Sequence, residues 1–163
     1  KSPIFVQSAF AIPRNFLSAT QHVADCASSR RKKGFGELIY VTRGNSARRA
    51  ENESEVVALL DAYGFQVVDC TTLSLSEQIM RFANARIIVA LHGAALSNIA
   101  FTNDSVKQLL EIMPKDYLSP CFMWLALEKN IRYTAHLSSC LQGRERTTFV
   151  DIDKLQDWLT EAI

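Results

Sequence analysis

IIVALHGAALSN, residues Ile87–Asn98, holds the strongest fold signal in the chain. Five apolar residues, Ile87 to Leu91, run without interruption, as in a strand buried on both faces of a parallel sheet. The run ends at His92-Gly93-Ala94-Ala95, one polar side chain followed by small residues, and the apolar segment Leu96 to Phe101 then reads as helical. A buried strand, a tight turn and a helix start is how open α/β sheets build ligand sites. The strand's carboxyl end and the helix amides face one crevice, which suits an anion.

Upstream, Leu38–Thr42 (LIYVT) is the first clear strand, and the polar stretch RGNSARRAENESE follows it. Asn52 stands where a helix N-cap is expected, with Glu53 and Glu55 in the first turn. The helix Glu53–Tyr63 stops at Gly64. Phe65–Asp69 is a second strand, and Ser74 is placed to cap a helix through Phe82. Before these, Pro13 opens a helix running to about Ser29, in which His22 reads as packing or surface. The run Arg30-Arg31-Lys32-Lys33 reads as a solvated helix end. Residues 1–12 read as an edge strand or a tail.

Downstream, Lys107–Met113 is a fourth strand ending in Pro114, Tyr117–Glu128 is helical, and Ile131–Leu137 is a fifth strand. Asp153 is expected to cap a terminal helix, Lys154–Ala162. Alternating strands and helices with short connections predict a three-layer α/β/α, Rossmann-like domain with a mostly parallel sheet of about five strands.

Composition narrows the function classes. At 163 residues and 48% hydrophobic, the chain can bury one core. Its 18 basic and 17 acidic residues argue against bulk nucleic-acid binding and against a membrane-coating surface. No apolar run reaches the roughly 18–20 residues of a membrane span. Cys26, Cys70, Cys121 and Cys140 are far apart, with no CxxC pair and no metal-ligand spacing. Free thiols are expected, which favours a reducing compartment. The chain carries no signal peptide and begins with lysine, so it is expected to be a piece of a longer protein.

Three groups of residues are suited to chemistry. Arg43, Arg48 and Arg49 follow the first strand, at the sheet edge that also holds His92. Guanidinium groups grip phosphate bidentately, so with the turn Gly93–Ala95 they suit a diphosphate; an ordinary solvated loop is the plainer reading. His92 is suited to donate to a phosphate or a leaving oxygen; as a base it requires a carboxylate partner that the sequence does not place. Glu111 ends the fourth strand, where carboxylates bond ribose hydroxyls in nucleotide-binding sheets, or simply face water. No glycine fingerprint, P-loop or nucleophile elbow occurs. Asp151-Ile152-Asp153 spells D-x-D, a weak cation motif that helix capping explains better, so no metal is expected. Asn52-Glu53-Ser54 and Asn103-Asp104-Ser105 match the glycosylation triplet, which arises readily by chance.

Six segments, in this order and spacing, resemble glycosyltransferase family 61. They are YVTR (Tyr40–Arg43), RRAENE (Arg48–Glu53), GFQVV (Gly64–Val68), SLSEQIMRFANA (Ser74–Ala85), IIVALHGAALSNIAF (Ile87–Phe101) and LLEIMP (Leu109–Pro114). The family includes plant xylosyl- and arabinosyltransferases, animal O-linked N-acetylglucosaminyltransferases and bacterial capsular-polysaccharide proteins. One departure is HGAALSN, where the family more often has HGAGLTN; if the backbone needed positive φ at Ala95, it would be strained there.

The resemblance implies an inverting, metal-independent GT-B enzyme transferring a sugar, often from a UDP-sugar, to a glycan or polysaccharide acceptor. It implies that residues 38–163 are the donor-binding half, with 1–37 a remnant of, or linker to, a missing N-terminal domain. Arg43 and Arg48 or Arg49 would then hold the diphosphate. The turn His92–Ala95 would help seat the leaving group, and Glu111 would face the ribose or base. Arginines and helix amides would stand in for a metal, with no cofactor beyond the donor itself. The general base would come from the other half, and this half alone would bind donor without turnover. A non-catalytic nucleotide- or phosphate-binding module of the same fold is the alternative. Bacterial relatives are cytoplasmic and plant or animal ones secretory; the free cysteines favour the bacterial, cytoplasmic case over the Golgi or ER lumen.

Overall fold

The computed structural model describes residues 12–29, 36–44, 49–139 and 148–163. Its centre is a five-stranded, all-parallel sheet in the order β2-β1-β3-β4-β5. The strands are β1 (Leu38–Thr42), β2 (Gln66–Asp69), β3 (Ile87–Leu91), β4 (Gln108–Pro114) and β5 (Arg132–Ser138). The helices are α1 (Arg14–Ser28), α2 (Glu53–Ala62), α3 (Leu75–Ala83), α4 (Cys121–Glu128) and α5 (Ile152–Ala162).

β3 matches its sequence reading residue for residue, and all five of its residues are buried. Two cores, one on each face, explain why it is apolar throughout. Ile88 and Ala90 join Phe82 of α3, Leu125 and Ala126 of α4, and Ile99, with Leu17 of α1 packed alongside. Ile87, Val89 and Leu91 meet Val56 and Leu60 of α2 and Leu155 and Leu159 of α5. The chain thus winds from β1 outward to β2 over one face, then returns to β3, β4 and β5 over the other. The direction of winding reverses between β1 and β3, the position at which open α/β sheets leave a crevice above their carboxyl ends.

Local sequence explains the helix ends. Ser74 accepts from the Glu77 amide, and Glu77 reaches back to the Ser74 amide at 2.9 Å, so α3 starts on a complete capping box. Four readings need correction. The segment after β3 is a 3₁₀ helix, Ala94–Phe101, wound more tightly than an α-helix. α4 begins at Cys121 rather than Tyr117, because Pro120 lacks the amide of an earlier turn. Asp151, not Asp153, caps α5 by accepting from the Lys154 amide at 3.2 Å.

The fourth correction concerns Asn52, which sits at the N-cap of α2 without capping it. Its amide group donates to the Val150 carbonyl at 2.9 Å and accepts from the Val150 amide at 3.0 Å, as a strand partner would. Beside it the Glu51 amide donates to Thr148, and Phe149 pairs with Ser139 just past β5. Residues 148–150 therefore clasp the start of α2 to the end of β5.

Candidate functional site

At the reversal point a pocket of roughly 230 Å³ opens above the sheet. Thr42 and Arg43 line it from the end of β1, Cys70 and Thr71 from beyond β2, and Gly93, Ala94 and Ala95 from beyond β3. Arg43 Nη1 donates to the His92 carbonyl, which lays the guanidinium against the turn. Gly93 is what allows this. Its backbone is extended, so the requirement is one of space: a Cβ there would lie 1.9 Å from Nη1. The first amides of a 3₁₀ segment have no acceptor within it, so the turn offers N–H donors next to a fixed cation.

Ala95 carries no positive φ; Asn130 is the one non-glycine residue among those described that does. The family's commoner glycine is thus not needed here for backbone reasons.

The strand end that carries Arg43 is held from below. Glu53 Oε1 accepts from the buried Tyr40 hydroxyl at 3.0 Å and from Thr42 Oγ1, and Thr42 Oγ1 in turn accepts from the Gly44 amide at 3.1 Å. Burial, with Glu53 beside it, pushes the Tyr40 hydroxyl well above its ordinary range. Gly44, at φ 53°, passes so close to Asp69 that a Cβ would lie 2.5 Å from its carboxylate. Burial, and then the Asp69 charge, push the pocket-lining Cys70 thiol up to about 11, so at neutral pH it is a thiol rather than a nucleophile.

His92 reaches the other way, toward β4 and β5. Its Nδ1 lies 2.5 Å from Glu111 Oε1, and Glu111 is fully buried. Tyr133 of β5 donates to Glu111 Oε2 at 2.7 Å. An unpaired carboxylate at this depth would cost several kcal/mol, and the two donors offset that cost. Burial and the bond to Glu111 raise the Tyr133 hydroxyl far above its usual range, so it stays a donor. Tyr117 and Phe122 pack around the imidazole with ring centres 5.4 and 5.5 Å away, leaving its side chain 9% exposed. With Nδ1 engaged, Nε2 is the atom free for chemistry. The carboxylate partner that a catalytic histidine needs is therefore present within this domain.

Of the residues singled out by sequence, Arg43, Gly93, Ala94 and Ala95 meet at the pocket, while His92 and Glu111 form the adjoining buried pair. Arg49 is exposed and does not line the pocket. Arg48 lies outside the described residues, as do Arg30–Lys33 and Cys140. Asp151 bonds both the amide and, at 2.8 Å, the ammonium group of Lys154, which holds its carboxyl below the usual range. Cys70, Thr71 and Tyr133 were not singled out. Nothing in their local sequence marks them, because strand order brings them to the site.

The glycosyltransferase 61 family model matches residues 4–109, well over half of the chain. This chain belongs to glycosyltransferase family 61. It is accordingly a glycosyltransferase, an enzyme whose partners are a nucleotide-sugar donor and an acceptor. The matched range contains every residue lining the pocket and ends just before Glu111. No curated protein matches the chain. Among the described residues no helix is long and apolar enough to cross a membrane.

Proposed function

We propose that this domain is the donor-binding half of an inverting, metal-independent GT-B glycosyltransferase that uses a nucleotide sugar, first of all a UDP-sugar, and glycosylates a glycan or polysaccharide. The observation that carries the reading is Arg43 laid against the Gly93–Ala95 turn at the β1–β3 crevice. A guanidinium beside unsatisfied amides complements the two charges of a diphosphate, which is the work a divalent ion does elsewhere. Arg48 or Arg49, five and six positions on from Arg43 in the sequence, is proposed as a second cation.

In the reaction the acceptor hydroxyl attacks the anomeric carbon while the bond from that carbon to the diphosphate oxygen breaks. The nucleoside diphosphate leaves with the electron pair, and the hydroxyl proton passes to a base. Arg43 and the turn amides stabilise the charge that grows on the departing phosphate. Glu111, fixed by Tyr133, accepts from His92 Nδ1–H, so that the imidazolium form of His92 donates from Nε2–H toward that leaving group; Glu111 is a positioning residue rather than a ribose ligand. The acceptor site and the base are assigned to an N-terminal domain across the cleft. The free thiols of Cys26, Cys70 and Cys121 support a bacterial cytoplasmic setting.

Calorimetric titration with UDP, GDP and CMP, with and without EDTA, tests the proposal on wild type and Arg43→Ala. UDP binding that ignores EDTA and weakens at least about tenfold in the variant is the expected result. Binding that requires a divalent ion, or that survives loss of Arg43, sinks the arginine reading. Binding of no nucleotide sinks the donor-domain reading as a whole.

A further inference from the structure

Two walls of the pocket come from different crossovers: Cys70–Thr71 precede α3, and Ala94–Ala95 open the 3₁₀ segment. Neither wall belongs to a strand, so the sheet alone does not set the gap between them. A pair of side-chain amides spans it. Asn98, 7% exposed, donates from Nδ2 to the Ala95 carbonyl at 3.0 Å and to Gln78 Oε1 at 2.9 Å. Gln78, on the first turns of α3, donates from Nε2 to the Cys70 carbonyl at 2.9 Å and to the Leu73 carbonyl at 3.1 Å. The path Ala95–Asn98–Gln78–Cys70 thus ties one wall to the other through three hydrogen bonds, and neither side chain itself lines the pocket.

We propose that Gln78 and Asn98 are positioning residues that fix the separation of the two pocket walls and so pre-set the turn amides for the donor's diphosphate. This rests on the reading of the pocket as the donor site. The chemistry of the pair favours a bridge over a filler. An amide is the side chain that offers an acceptor on one branch and two donors on the other, and Gln78 uses both branches, each toward a different wall. Pre-organised donors cost no rearrangement when the ligand arrives, so releasing either wall is felt as lost affinity.

The test compares wild type with Gln78→Ala, Asn98→Ala, the double variant and Asn84→Ala. Asn84 is a buried amide at the far end of α3, bonded to the Met80 carbonyl at 2.8 Å, and serves as the stability control. UDP and inorganic pyrophosphate are the titrants, and each protein's melting temperature is recorded. The expected result is about tenfold weaker binding of both titrants by Gln78→Ala and Asn98→Ala, the equivalent of one or two net hydrogen bonds. The double variant loses no more than the worse single one, because both cuts open the same bridge. Asn84→Ala melts lower yet binds as wild type.

Should Asn98→Ala fail to fold, Gln78→Glu replaces it. That variant keeps the acceptor for Asn98 but turns a carboxylate toward the Cys70 and Leu73 carbonyls, and it is expected to bind at least as weakly as Gln78→Ala. Wild-type affinity in the Gln78 variants overturns the proposal. Wild-type protein that binds neither titrant overturns the donor-site reading beneath it, and the two failures are told apart by which protein fails.

Discussion

Gly93 matters for the side chain it lacks. The atom that an added Cβ would strike is the far end of the long Arg43 side chain rather than backbone, so Gly93→Ala is expected to fold with little loss of stability. What it removes is the guanidinium from its place against the turn. Wild-type melting together with a fall of about tenfold in UDP affinity is the expected result; unchanged affinity would show that the guanidinium does not need that position. Tyr133→Phe acts on the neighbouring pair by taking one of two donors from a buried carboxylate. A loss of about 1.5–3 kcal/mol in urea unfolding is expected, the range for hydrogen bonds to charged groups, and a loss below about 0.5 kcal/mol would mean that the bond is replaced on mutation. Sequence could place His92 and Glu111 on strand ends but not pair them. Their contact depends on the register that sets Ala90 beside Glu111, so that His92, two residues on, reaches back to it across the same face. A one-residue slip would send the glutamate to the opposite core.

β3 was legible because every one of its side chains is buried, and α3 because its cap is written in adjacent residues. Ser74→Ala removes the acceptor for the Glu77 amide and leaves the returning carboxylate without its hydroxyl partner. The expected cost is about 1 kcal/mol by chemical denaturation, with ligand binding untouched if the capping box serves only the helix. Tyr117 misled for a physical reason: an aromatic followed by Leu118 looks like the start of an apolar face, yet it lies before the helix and covers the His92 ring. The 3₁₀ winding of Ala94–Phe101 was hidden too, since small and apolar residues at that spacing fit either helix. Asn52 and Asp151 illustrate a limit of cap prediction. Both are good capping types at helix starts, but Asn52 bonds a buried backbone partner from elsewhere in the chain, whereas Asp151 bonds the amide of its own helix.

For the molecule as a whole, β5 and α5 enclose a histidine that favours the neutral state. His136 is 8% exposed, its Nε2 has no hydrogen-bond partner among the described residues, and Asp151 and Lys154 are the charges that act on it. Burial lowers its affinity for protons below the ordinary 6.5, with Asp151 pulling weakly the other way. The unfolded chain therefore binds more protons than the native one once the pH falls below about 6.5, so stability drops from there until the native histidine also titrates. Urea unfolding between about pH 5 and 7 is expected to show this slope in wild type and a flatter one in His136→Gln. Equal slopes would show that other groups set the acid response. The parallel sheet of about five strands between two helical layers followed from alternating strands and helices, but neither the strand order nor the clasp of residues 148–150 did, because no local pattern announces a partner so distant.

That clasp has a kinetic meaning. The Asn52–Val150 bonds join residues 98 positions apart, whereas β1 through β4 assemble from much shorter loops. Closing the longer loop costs more chain entropy and is repaid only when β5 and α5 are already docked. Gly44 is thus held early, through Thr42 and Glu53, and Ala50 late, through Thr148. During synthesis, the contacts that hold the start of α2 to the end of β5 are the last of this domain to form.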